Sequence, residues 1–129
     1  TRTPMQWDSS EYAGFSDHEP WLKMTGSQDK INVENQFNDP NSIYSFYKKM
    51  ISIRKQEDTL VYGDFAEVNT VDDVIGYKRT YQGQEIICLC NFTNTEQPIP
   101  ETQGNILLDN YNDYNNTTLK PYQFVMIKK

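Results

Sequence analysis

Little in this sequence marks a chemistry of its own. Lys and Arg number 12 against 18 Asp and Glu, a formal net charge of −6. Phosphate binding relies on clustered cations, so nucleic acid is not expected as a partner. No apolar run approaches the roughly 20 residues that a membrane span needs, and no secretory leader pattern is read, so no membrane partner and a cytoplasmic location are expected. Cysteine is scarce: Cys88 and Cys90 stand at i, i+2. In a strand such residues share a face with Cα atoms about 6.5–7 Å apart, which strains a disulfide, and no second Cys/His pair completes a metal site. Two reduced thiols in a strand are expected, in keeping with a reducing compartment. The sole histidine, His18, lies between Asp17 and Glu19. Three adjacent ligands rarely converge on one ion, so neither a metal nor a cofactor is expected. The nucleophile elbow GxSxG, the P-loop, HExxH and paired CxxC are all missing, so by pattern alone the chain carries no active site.

What is present is size and aromatic content. The 129 residues suit about one domain with a sizeable core. Aromatics make up 13% of the chain, which predicts an aromatic-rich core or a flat binding face. Residues 1–38 hold Trp7, Tyr12, Phe15 and Trp21 between Pro4, Gly14, Pro20 and Gly26 with no sustained period. A segment that long without regular structure is functional or packed on something else. Trp7, Tyr12 and Trp21 suit either a sugar-stacking platform or interface packing.

Asp39-Pro40-Asn41-Ser42 reads as a helix start, with Asp39 as cap and Pro40 in the first helical position. Ile43, Tyr47, Met50, Ile51 and Arg54 follow helical spacing, and the wide apolar arc predicts a helix covered on two sides, ending near Glu57 or Asp58. The period then changes to two. Strands are predicted over Leu60–Asn69, Val74–Tyr81, Glu85–Phe92, Ile106–Leu108 with flanks, and Tyr122–Lys128, with Gln82-Gly83-Gln84 as a tight hairpin and Asp72-Asp73 as a turn. Pro98 and Pro100 mark an edge or short irregular strand, and the Asn-rich stretch 109–121 a loop. The fold class is mainly β: an antiparallel sandwich of about six to eight strands, preceded by an irregular segment and one long helix. Among the acids, Asp8, Glu11, Asp17, Glu19, Asp72 and Asp73, none sits in a setting that marks a tuned acid or nucleophile. Asn-X-Thr sequons at Asn91, Asn115 and Asn116 carry no weight without secretion.

The runs RTPMQWDSSEYAGFSDHEPWLKM, INVENQFNDPNSIYSFYKKMISIRK and VYGDF resemble the C-terminal part of α-glucosidases of the α-amylase superfamily, glycoside hydrolase family 13, of the oligo-1,6-glucosidase, dextran glucosidase and trehalose-6-phosphate hydrolase type. The likeness is strong over residues 1–65 and compositional beyond. It implies a fragment: residues 1–38 as a loop segment from the end of a catalytic (β/α)8 barrel, 39–58 as the last barrel helix, and 59–129 as an all-β C-terminal domain. The lack of an initial methionine agrees with that.

The resemblance further implies a retaining mechanism with an Asp nucleophile, a Glu acid/base and a stabilising Asp, none of whose motifs occurs here. The chain's expected partners are the barrel of its own parent and, in that parent, an α-gluco-oligosaccharide. Arg2 matches the family arginine on the acceptor side of the pocket. It would either hydrogen-bond sugar hydroxyls or anchor the loop to a barrel acid. Trp7, Phe15 and Trp21 are read as packing residues. The Met24–Asp29 stretch departs from the family's Asn-Pro-Asn-Tyr-like turn. The implied role is to cover and stabilise the barrel. The alternatives are an independent carbohydrate-binding module, with Tyr111, Tyr114 and Tyr122 as its platform, or a self-associating domain whose apolar patch around residues 1–57 forms a homo-oligomer.

Overall fold

The computed structural model describes residues 2–129, so Thr1, where the expected loop segment 1–38 opens, lies outside the described residues. Two compact units divide the chain, Thr1–Lys49 and Met50–Lys129.

The second unit is built on strands β1 (Asp64–Glu67), β2 (Val74–Tyr81), β3 (Gln84–Asn91), β4 (Gln97–Pro98), β5 (Asn105–Asp109), β6 (Thr118–Leu119) and β7 (Phe124–Lys128). Five pair antiparallel in the order β1-β2-β3-β7-β5, and β4 pairs with β6 in a separate ribbon. The hairpin between β2 and β3 turns on Gln82 (φ 49°) and Gly83 (φ 80°). Both central residues lie in the left-handed region, as a two-residue hairpin with the sheet's own twist requires. A side chain at Gly83 would meet nothing within 4 Å, so glycine is there for its conformation alone. Asp72 and Asp73 form the expected turn before β2.

Alternation sorts the sheet's side chains onto two faces. Val74, Ile87, Leu89, Val125 and Ile127 point to one side, where Ile99 and Leu119 from the ribbon layer, with Val68 and Tyr114, close a single cluster. This is the sandwich that the strand count predicts. Ile86, Cys88 and Met126 are buried on the opposite side, where helix α3 (Asp58–Tyr62) lies against β2 and β3. β3 is therefore buried from both faces, and each such aliphatic side chain contributes roughly 1.5–3 kcal/mol. The expected strand over Leu60–Asn69 begins only at Asp64. Ahead of it the chain makes one helical turn that buries Thr59 and Leu60. A short apolar run fits either period, and here tertiary burial decides.

Three buried polar residues hold the loops to this core. Asn91 is 1% exposed; its Nδ2 donates to the carbonyls of Thr95, Leu119 and Lys120, and its Oδ1 accepts from the Thr93 amide and hydroxyl. Asp109, 6% exposed, accepts from the amides of Tyr111, Asp113 and Tyr114 at 2.9–3.0 Å and from Gln123 Nε2 at 2.9 Å. Gln123, also buried, accepts from the Lys120 amide through its Oε1 at 2.8 Å. Tyr122 takes a positive φ of 55° beside Gln123, so β7 starts at Phe124 and not at Tyr122.

The first unit is organised differently. Its regular elements are α1 (Val33–Phe37) and the start of α2 (Ile43–Gln56), and the rest is turns. Asn32 caps α1, its Oδ1 accepting from the Asn35 amide at 2.7 Å while its Nδ2 donates to the Gln28 carbonyl. Gln6 ties the N-terminal strand of chain to this cap. Its carbonyl accepts from the Val33 amide at 3.0 Å, its Nε2 donates to the Ile31 carbonyl, and its Oε1 accepts from the hydroxyls of Thr25 and Ser27. Trp7 and Asp8 turn back through the Ala13 carbonyl, with Asp8 Oδ1 accepting from Ser10. Gly14 takes a left-handed φ of 63°, and a Cβ there would lie 2.5 Å from Asp8 Oδ2, so any other residue would strain the backbone and displace that carboxylate from Ser10.

The helix cap falls at Ser42 and not at Asp39. Asp39 Oδ1 is taken by the Asn41 amide at 2.8 Å, a local Asx turn, while Ser42 Oγ accepts from the Ser45 amide at 3.1 Å. The helix therefore starts at Ile43, and Pro40 sits in the preceding turn. α2 has no buried residue; Ile43, Tyr47 and Ile51 are exposed along one face. Among the described residues nothing covers that face of α2.

Two predictions follow from the polar core. Asp109→Ala leaves three amides and Gln123 Nε2 without their acceptor and is expected to lower stability by about 3 kcal/mol in urea denaturation; an unchanged midpoint would show that the loop does not depend on it. Burial pushes the phenols of Tyr77 and Tyr114 up to about 12. A raised acid pKa means that the folded state holds its proton more tightly. The phenols' share of stability should be constant below pH 10 and be lost as pH rises from 10 to 12, on top of an earlier loss from the buried thiols of Cys88 and Cys90, and Tyr77→Phe with Tyr114→Phe should make the decline between pH 10 and 12 shallower.

Candidate functional site

Arg2 is exposed, and its guanidinium carbon lies 5.9 Å from the ring centroid of Trp21, a cation–π pair. Among the described residues no carboxylate forms an ion pair with Arg2. Trp21 is itself 84% exposed, and Trp7 and Phe15 are each about half exposed. The packing that these aromatics are suited to is therefore not made among the described residues.

An open groove of about 520 Å³ runs beside Gln6, with apolar walls from Pro4, Met5, Ile31, Val33, Ile43 and Tyr47. The Gln6 hydrogen bonds and the Asn32 cap fix its two sides relative to each other. Thr3, Gln6, Thr25, Asn32 and Gln36 also line it, but no charged side chain does, and its mostly apolar walls suit an apolar partner surface.

The acids do not assemble a catalytic pair. Hydrogen bonds from the Ser10 hydroxyl and amide hold the Asp8 carboxyl below its usual range, so it stays ionised as a turn-forming acceptor. His18 Nδ1 lies 3.4 Å from Ser16 Oγ. Among the described residues no group of three or more His, Cys, Asp or Glu is placed to hold a metal ion. Cys88 and Cys90 are free thiols on one face of β3. Burial pushes both up, which lowers the thiolate fraction and with it the nucleophilicity.

The expected platform of Tyr111, Tyr114 and Tyr122 does not form. Tyr114 is pinned by its amide to Asp109, packs against the sandwich core and donates its hydroxyl to the Thr102 carbonyl at 3.0 Å. Tyr111 donates to the Pro121 carbonyl and carries the Lys120 ammonium over its ring. Tyr122 and, less so, Tyr111 stay exposed, while Tyr114 is turned inward.

A different aromatic group forms at the β1–β2 edge. Phe65 stacks on Tyr77 with centroids 5.6 Å apart and planes at 26°, and Tyr62 lies 5.8 Å from Tyr81 at 44°. Arg79, the cross-strand partner of Phe65, donates from Nε to the Gly63 carbonyl at 2.9 Å. Alternation in Val74–Tyr81 already puts Tyr77, Arg79 and Tyr81 on one face. The contribution of Tyr62 depends on the α3 turn that the strand reading missed.

Known proteins resemble the chain along nearly all of it. Residues 1–63 match the family model of the α-amylase catalytic domain. An oligo-1,6-glucosidase of Halalkalibacterium halodurans is 38% identical over 95% of the chain and 24% of its own length. An α-glucosidase of Schizosaccharomyces pombe is 38% identical over 98% of the chain and 24% of its own length. The crystal structure of the trehalulose synthase MutB of Pseudomonas mesoacidophila MX-45 superposes with a TM-score of 0.90 at 30% identity, over 98% of the chain and 25% of the synthase. The chain thus spans about a quarter of the length of the relatives it matches. From the family match at its start and the likeness along its length, the chain belongs to the α-amylase family, glycoside hydrolase family 13.

Proposed function

We propose that the chain is the non-catalytic C-terminal part of a retaining α-glucosidase that cleaves α-glucosidic bonds in oligosaccharides. Residues 1–38 are then the loop segment that ends the catalytic barrel, 39–58 its last helix, and 59–129 the β-domain that covers and stabilises it. The observation that carries this reading is the inverted burial of the first unit. Pro4, Ala13, Asn32 and Ser42 are its buried residues, while Met5, Trp7, Phe15, Trp21, Ile43 and Tyr47 face outward. The partner that such a surface fits is the apolar outer layer of the parent's own (β/α)8 barrel.

Arg2, beside Trp21, is the residue of this chain that reaches toward substrate, donating to hydroxyls on the acceptor side of the pocket. The nucleophile, the acid/base and the stabilising carboxylate lie on the barrel. Glucosidases, a trehalose-6-phosphate hydrolase of Escherichia coli and a trehalulose synthase share this region, so the choice of substrate and reaction is set by residues elsewhere in the parent. No helix among the described residues is long and apolar enough to cross a membrane; with the two free thiols, that supports a cytoplasmic enzyme.

The chain alone is expected to give no turnover of p-nitrophenyl α-glucoside or isomaltose, and turnover would overturn the reading. Co-expressed with the barrel of its parent, it should restore cleavage. In that assembly Arg2→Ala should lower kcat/KM by about 10- to 100-fold, the worth of one or two charge-assisted hydrogen bonds. An unchanged kcat/KM would assign Arg2 to loop anchoring only.

A further inference from the structure

The aromatic group at the β1–β2 edge lies wholly within the second unit and takes no part in the sandwich core. Tyr62 is 65% and Phe65 63% exposed. Cross-strand aromatic pairs commonly serve to reinforce a sheet edge, and these two outer rings also keep most of their surface in water. Here the inner rings, Tyr77 and Tyr81, are partly buried, and each supports an outer ring that keeps its far side in water. Phe65 is the flatter of the two, at 26° to Tyr77.

Arg79 gives this surface a fixed polar element. It projects from β2 on the same face as Tyr77 and Tyr81, opposite Phe65. Its Nε bond to the Gly63 carbonyl sets the guanidinium next to the backbone between Tyr62 and Phe65. Its Nη groups have no hydrogen-bond or ion-pair partner among the described residues, so up to four donors remain in a pre-oriented planar fork. Glu67, two residues beyond Phe65 on the same face and opposite Tyr77, supplies an exposed acceptor. A flat exposed ring, a fixed fork of free donors and a nearby acceptor match a pyranose ring. That ligand has an apolar C–H face to lay on an aromatic plane and a rim of hydroxyls that both accept and donate. A strongly anionic ligand is less suited, because Glu67 shares the face and the chain carries a net charge of −6.

We propose that Tyr62, Phe65 and Arg79, with Glu67, form a surface site for a sugar ring of an α-gluco-oligosaccharide. The choice of an α-glucoside rests on the proposed function, whereas the ring-and-fork geometry does not. Titration of the full chain with isomaltotriose and with maltotriose, followed by heteronuclear NMR, tests it. Saturable shifts confined to residues 62–67 and 77–81, with half-saturation in the millimolar range, are expected. Phe65→Ala and Tyr62→Ala should each weaken them at least fivefold. Arg79→Lys, which keeps the charge and loses the fork, should do the same, and Tyr122→Ala should leave them unchanged. Spectral dispersion confirms the fold of each variant, and Tyr62→Ala, on an exposed helix end, keeps the test open if Phe65→Ala is unstable.

The absence of saturable shifts up to 50 mM sugar overturns the site. So does binding that survives both aromatic substitutions, or a dimer detected by light scattering that Phe65→Ala abolishes, which would make the face a contact between copies. Turnover of p-nitrophenyl α-glucoside by the chain alone would overturn the proposed function without moving these shifts, so the two can fail separately.

Discussion

Apolar side chains leave water when there is something to cover them, and in residues 2–49 no large one is fully covered. The four buried residues of that unit are small or polar, and its two tryptophans are among its exposed residues. What order it has comes from hydrogen bonds: Gln6 to Thr25, Ser27 and Ile31, Asn32 to Gln28 and Asn35, Asp8 to Ser10. Such bonds contribute little net stability each, because water competes for every partner. They choose one path for the loop without supplying the burial that would hold it. On the proposed reading the support for this path comes from the parent's barrel, and the exposed stripe of Ile43, Tyr47 and Ile51 on α2 has the same requirement.

The second unit meets the opposite condition. β3 carries Ile87 and Leu89 on one face and Ile86 and Cys88 on the other, all buried. The ribbon and loops cover the first face and α3 lies on the second. The polar residues inside this unit are there because each is saturated. Asn91, which fits a glycosylation sequon by its letters, is instead a fully bonded bracket between β3 and the chain around Leu119. Its amide nitrogen has no capacity left for a glycan.

The sequence made these two behaviours unequally legible. The β2–β3 hairpin could be read almost residue by residue, because two runs of strand length rich in apolar residues and the Gln82-Gly83 turn between them encode it locally. The cap of α2 could not, since Asp39 and Ser42 are both good caps and the choice turns on which backbone amide the Asp39 carboxylate meets first. Nor could α3: Asp58–Tyr62 has too few residues to display a period, and burial of Leu60 beside the sheet settles it. Tyr114 reads like Tyr111 and Tyr122 in an Asn-rich loop, yet its amide bond to Asp109 and its hydroxyl bond to the Thr102 carbonyl hold it inward against the core. Arg2 carries no local signal of function at all. It is singled out by the family motif around it, and its cation–π contact with Trp21 depends on a turn that spacing does not reveal.

The central claim is that the first unit depends on an apolar partner while the second stands on its own core. Amide hydrogen exchange of the chain by itself tests this directly, since protection reports the free energy of local opening. The account predicts strong protection across 84–91 and 124–128, together with exchange close to the unfolded rate at Val33 and Glu34, whose amides bond to Gln6 and Trp7. Equal protection of those two amides and of the β3 amides would contradict it.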